Sequence, residues 1–425
     1  EMKASIGSIN SANSGIGAVA KSFATLEVVA VAALAVIGGV SVAAYAKFNQ
    51  AMTESEAIMG NISQKMKDDL EQTALTLSTT SAQSAADLAK SYYYIVSAGE
   101  SAAQAIKLLP VVSRFATAGL MDMSEATQFL TNSQIALGLK MADPIANMQE
   151  MTRVSDVLTK ASIIADATIQ QFAEALTNKA AGTMRAYGIS VEEGVAVLAD
   201  FANQGIKGSA AGMDYVIVLR DVMMAASKNS EVFKELGINV YNAQGKLQPM
   251  SRILSDMEKA FAGASDEEKV QALTMLGFQQ RAQSYMLTLL GTSDTLKGYE
   301  DALNSAGGAT QKVSDTILTS FTNQWKILKN NLTVVAIEIG KELAPSILEV
   351  MEDMTRWAKS VQDSQKQFGT LTNIVHTLTD SVKILALGFY SIATVLESVV
   401  SLLVGGVEIA LGSFAANIHT SIELI

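Results

Sequence analysis

The residues best suited to chemistry are few and scattered. Glu174 and Glu193 are candidates for the raised-pKa acid of a glycoside-cleaving site, which needs one carboxyl in an apolar pocket. Each stands in a capping or surface context that explains it without chemistry. His376 and His419 are the only histidines, too few for most metal or triad chemistry, and both read as structural. Cysteine is absent, which excludes a disulfide framework and thiolate zinc sites. Tyr92-Tyr93-Tyr94 offers stacking faces for bases or sugars. With no basic residue interleaved beyond Lys90, the triplet reads as packing. Gly205-Ile-Lys-Gly208 and Gly307-Gly308 read as helix punctuation rather than anion cradles. No HExxH, phosphate-loop, GxSxG or CxxC pattern occurs. The expectation is a chain without catalytic, metal or cofactor-binding residues, and not an enzyme.

The elements that carry these residues follow from composition. Lys+Arg of 31 against Asp+Glu of 42 give a net charge of −11, which is repelled by phosphate backbones and disfavours sequence-specific nucleic-acid binding. Charged residues are 17% and hydrophobic residues 49% of the chain, so a large apolar surface must be buried and wholesale disorder is excluded. Four prolines, with abundant Ala and Ser, favour long helices, and 19 methionines suit adaptable packing between them. The chain opens on Glu1, as a piece of a longer protein would. No secretory signal is expected: the apolar run Val28–Ala46 is too long for a signal core and lacks a basic segment immediately before it.

Composition divides the chain into zones. Residues 1–21 are a Gly/Ser/Ala/Asn-rich flexible lead-in. Residues 22–50 hold the charge-free run Val28–Ala46, which as a helix spans about 28 Å, close to a bilayer core. Residues 51–308 read as a core domain of short helices. Thr80–Gln83, Ser190–Glu193 and Ser265–Glu268 fit capping boxes, and Asp143-Pro144 fits an N-cap before a first-turn proline. Gly99, Gly119, Gly182 and Gly205 stand where helices should stop. Alternating Ile238, Val240 and Leu247 around Asn-Ala-Gln-Gly predict one small β-hairpin. A weak echo relates Phe115–Gly119 to Phe201–Gly205, and Gln83–Asp87 to Gln170–Glu174, as a duplicated helical unit would.

Residues 309–365 change character. Leu318, Phe321, Trp325, Leu328, Leu332, Val335 and Ile339 follow alternating spacings of three and four, a coiled-coil seam with a kink expected near Pro345. Its aromatics and length favour self-association over packing within its own domain. Residues 366–425 are apolar, with charge-free stretches broken by Glu397 and Glu408, which share one helical face. Such a stripe faces either a water-filled lumen or partner within a membrane, or solvent in a bundle. The fold class expected is all-α: a helical core with one small β-hairpin, then long coiled-coil-like and apolar helices.

The core resembles a known family. Thr73–Gln83, Leu88–Gly99, Phe115–Gly119, Val154–Leu158 and Phe172–Leu176 resemble the core of phage tail tape measure proteins. Leu236–Tyr241, Gly245-Lys246, Pro249, Ile253-Leu254, Gln324–Leu328, Ile339-Gly340 and Leu343–Pro345 continue the likeness in order, covering about residues 50–350. The resemblance implies a structural virion protein: several copies lie extended in the tail tube, set its length and leave ahead of the genome. It implies as partners further copies of itself, three or six, the tube protein, tail-tip or baseplate proteins and assembly chaperones. Val28–Ala46 and Ile384–Ala416 are the candidates for entering the host envelope. A membrane-active pore former is the alternative, and a murein-degrading enzyme the next.

Overall fold

Hydroxyl and carboxylate side chains cap the starts of seven of the described helices. The computed structural model describes residues 39–367, which form two compact units. The larger covers 50–331; the smaller takes the flanking chain, of which 39–49 and 332–367 are described. Residues 1–38 and 368–425, with most of the Val28–Ala46 run, His376, Glu397, Glu408 and His419, lie outside the described residues. No helix among the described residues is long and apolar enough to cross a membrane.

After a first helix at 39–56 (α1), the larger unit continues through α2 (Gln64–Ser78), α3 (Ala85–Ser97), α4 (Ala102–Gly119), α5 (Met123–Leu137) and α6 (Pro144–Ile164). Then come α7 (Ile169–Ala175), a π turn (Leu176–Ala180), α8 (Ala181–Tyr187), α9 (Val191–Asn203), α10 (Gly208–Lys228) and α11 (Ser230–Glu235). It closes with α12 (Met250–Ala260), α13 (Asp266–Leu276), α14 (Gln280–Leu289), α15 (Ser293–Asn304), α16 (Ala309–Leu318) and the start of α17 (Phe321–Gln367). Helices α4 and α9 form the centre. Leu108, Leu109, Val112 and Phe115 of α4, and Val195, Leu198 and Phe201 of α9, are buried. Around them, α6 packs on both, α16 on α4 and α15 on α9. Helix α16 therefore belongs to this core although it follows residue 308.

The capping boxes at Ser190/Glu193 and Ser265/Glu268 form as the spacing predicts, and Asp143 caps α6 ahead of Pro144. Thr80–Gln83 is not a box: the helix starts later, with Ser84 accepting from the Asp87 amide. The predicted β-hairpin is reduced to a single antiparallel bridge, Tyr241 with Leu247. The Asn242 side chain accepts from the amides of Gln244 and Lys246 and tightens the turn. Pro249, which has no amide donor, then leads into α12, so the ladder has no residues to continue.

The glycine stops divide. Gly99 and Gly205 take left-handed conformations just past α3 and α9, whereas Gly182 lies inside α8. Gly119 is still helical, and Leu120 takes the left-handed position at φ 53°. In the echoed segments, Phe201 precedes its left-handed glycine by four residues, while α4 runs one residue further past Phe115. A leucine there strains the backbone by about 1 kcal/mol. Because Leu120 is 81% exposed, burial returns little. Leu120→Gly is therefore expected to stabilise the fold by about 1 kcal/mol, read as a higher thermal midpoint; a lower midpoint would show that the leucine side chain outweighs the strain.

In the smaller unit, α1 crosses α17 at Gly340. A Cβ there would overlap the Ser41 carbonyl oxygen and lie 2.7 Å from Tyr45 Cβ, so only glycine allows this approach. Ser41, Phe48 and Ile337 are buried.

Candidate functional site

Helix α17 carries two different faces. On one, Asn330 is buried and its amide donates to the carbonyls of Ser81 (3.1 Å) and Gln83 (2.8 Å). Ile337 and Gly340 lie on the same side further along. The heptad residues occupy the other face: Phe321 is 71% exposed, Leu328 49%, Leu332 65%, Val335 57% and Ile339 39%, with Trp325 half-buried. The spacing thus marks a row of large apolar side chains facing outward, while polar Asn330 and bare Gly340 make the inward contacts.

Leu318 is separated from this row. It ends α16, and α17 begins at Phe321. Between them, Asn323 Nδ2 donates to Ile317 O (2.9 Å) and Gln324 Nε2 to Leu318 O (2.7 Å). These side chains take the last carbonyls of α16 in place of further helical bonds. Beyond them α17 runs as one helix through Pro345.

Several acids of the larger unit are engaged with backbone donors. Asp156 on α6 accepts from the amides of Gly308 (2.8 Å) and Thr310 (2.9 Å), capping α16. Glu258 on α12 accepts from Gly291 N (2.8 Å), Ser293 N (3.0 Å) and the Ser293 hydroxyl, holding the start of α15. Asp256 receives Asn239 N at 3.3 Å. Glu193 is the N3 residue of its capping box, and Glu174 is half-buried on α7. A polar cluster joins Glu100, Lys140, Asn147 and Gln134: Asn147 donates to Glu100 (2.9 Å), Gln134 to Asn147 (2.9 Å), and Lys140 to Gly99 O (2.6 Å). Of the tyrosine triplet, Tyr92 is buried and donates to Leu70 O (3.0 Å), while Tyr93 and Tyr94 meet edge to face at 5.8 Å.

Burial raises the pKa of Glu100, Asp200 and Glu300 above the usual carboxylate range. Lys140 opposes the shift at Glu100, the Thr292 hydroxyl at Asp200 and the Ser251 hydroxyl at Glu300. These carboxyls hold protons more firmly folded than unfolded. Their stabilising contribution is present below the ordinary range near about 4 and is lost as pH rises through the raised folded values. Asp200→Asn is expected to raise the thermal midpoint at neutral pH and to flatten the gain on mild acidification. A midpoint unchanged at every pH would show that Asp200 is ordinary.

Residues 71–277 match the family described as phage-related minor tail protein. A tape measure protein of Pneumococcus phage Dp-1 is 26% identical over 349 residues, 82% of this chain and 29% of that protein. A probable tape measure protein of Escherichia phage P2 is 23% identical over 320 residues, 73% of this chain and 38% of that protein. The chain thus spans well under half the length of these curated relatives. No solved structure matches it. The resemblance to tail tape measure proteins is shown over most of the chain.

Proposed function

We propose that this chain, a relative of the tail tape measure proteins, is a structural segment of a phage tail and not an enzyme. Copies lie along the lumen of the tail tube, set the length at which tube assembly stops, and leave ahead of the genome at ejection. The tube protein, the tip or baseplate proteins and assembly chaperones are the partners of this role. The apolar zones Val28–Ala46 and Ile384–Ala416, with Glu397 and Glu408, enter the host envelope afterwards.

The outward heptad row on α17 carries this reading. An apolar row of period three and four, left exposed among the described residues, is the kind of surface that helices bury against copies of themselves. Identical chains match such a row in register, and a three- or six-fold tube favours three copies. Leu328→Asp, or Leu332→Asp as a second variant, is expected to convert a sedimenting trimer into monomer with helical circular dichroism retained. Sedimentation unchanged by both variants would remove self-association through this row. For the ruler, in-frame deletion of helical chain outside 50–331 should shorten tails by about 1.5 Å per residue removed, measured on micrographs. Tails of unchanged length would reject that role for the deleted segment.

A further inference from the structure

Two surfaces of the larger unit match one another in chemistry. The first is a groove of ≈ 500 Å³ between the end of α6 and α16. Ala309, Lys312, Val313 and Ile317 recur at helical spacing and turn one face of α16 into a wall; Lys160 and Ile163 of α6 form the other. Ile163 is 57% exposed, and Val313 and Ile317 are half-buried. Among the described residues neither Lys160 nor Lys312 has an ion-pair partner, in a chain of net charge −11. The groove is an apolar trough edged by two free ammonium groups.

The second is α13, which buries only Leu273 and Leu276 of its 11 residues. Glu267, Val270 and Thr274 stand three and four apart on its outward side, with Met275, 72% exposed, beside them. Asp266, Glu267 and Glu268 make its first turn acidic. Apolar and acidic side chains thus share a face that the unit leaves in water. We infer that α13 of one copy seats in the α6–α16 groove of another, Val270 and Met275 on Ile163, Val313 and Ile317, its first-turn acids on Lys160 and Lys312. Charge selects this occupant. The outward row on α17 runs beside Lys326 and Lys329 at its start and would bring like charge to the groove. Groove and helix are different surfaces of one chain, so the contact is head to tail. It joins copies in a ring or a line without using the α17 row.

The chain has no cysteine, so single introduced thiols report on chosen points of the full 425-residue protein. Chains carrying Thr316→Cys, on the groove wall, are mixed with chains carrying Thr274→Cys, on α13, and treated with a short bis-maleimide. A cross-linked dimer is expected in the mixture and little in either chain alone. Lys160→Glu with Lys312→Glu on the first chain, or Asp266→Lys with Glu267→Lys on the second, should each lower the yield about ten-fold. Mixing the two reversed chains should restore it, which a reversal that merely disturbs its own helix cannot do. The cross-link is also expected with Leu328→Asp in both chains, which separates it from the α17 row. No cross-link in the mixture, loss of it with Leu328→Asp, reversals without effect, or no recovery when both are combined would overturn the proposal. So would Thr274→Cys chains cross-linking alone as well as in the mixture, which marks a symmetric pairing of α13 with itself.

Discussion

Replacing Gly212 by alanine is expected to destabilise the larger unit by about 3 kcal/mol, the opposite of what the same change does at Gly298. Both glycines sit within helices, α10 and α15, where alanine ordinarily gains about 1 kcal/mol. They differ in what a methyl group would meet. At Gly212 a Cβ would overlap the Ala175 carbonyl oxygen and lie 2.9 Å from its carbon, a backbone that cannot rotate away. At Gly298 nothing lies within 4 Å, so Gly298→Ala should stabilise by about 1 kcal/mol. Chemical denaturation of the two variants reads both signs. If Gly212→Ala matched or exceeded wild type, the close approach of α10 to the end of α7 would be wrong.

Asp156→Ala is expected to remove about 2–3 kcal/mol. The side chain is 5% exposed and satisfies two amides at the start of α16, beside a hydroxyl cluster in which Thr310 meets Ser155 (2.8 Å) and Thr159 (3.0 Å). Alanine leaves the buried Thr310 amide without an acceptor, whereas the amide of exposed Gly308 can turn to water. Asp143→Ala is the control: it also caps two amides, of Ile145 and Ala146, but is exposed, so solvent replaces it at a cost of about 1 kcal/mol. Asp156→Asn, keeping one acceptor oxygen, should fall between. Equal losses for Asp156→Ala and Asp143→Ala would show that burial adds nothing to the cap.

What could be read from the residues in order was whatever depends on near neighbours. Ser190 with Glu193, Ser265 with Glu268 and Asp143 with Pro144 announce helix starts because both partners lie within one turn. The heptad row on α17 is equally local. Its direction is not, because it depends on Asn330 reaching carbonyls about 250 positions earlier. Asp156, Glu258 and Asp221 look like ordinary surface acids in sequence, since nothing nearby says which distant amide each will meet. The left-handed Leu120 was hidden by the glycine beside it.

The clasp between α6 and α16 joins positions 152 residues apart. At about 5–20 residues per second, α6 leaves the ribosome roughly 8–30 s before its partner. For that interval Asp156 has only water, and the floor of the unit stays open. The nascent chain can therefore close this clasp only when α16 arrives, immediately ahead of α17. Synthesis order thus makes the arrival of α16 a late step in closing the unit, and a ribosome that stalls before it releases a chain whose Asp156 has no amide to cap.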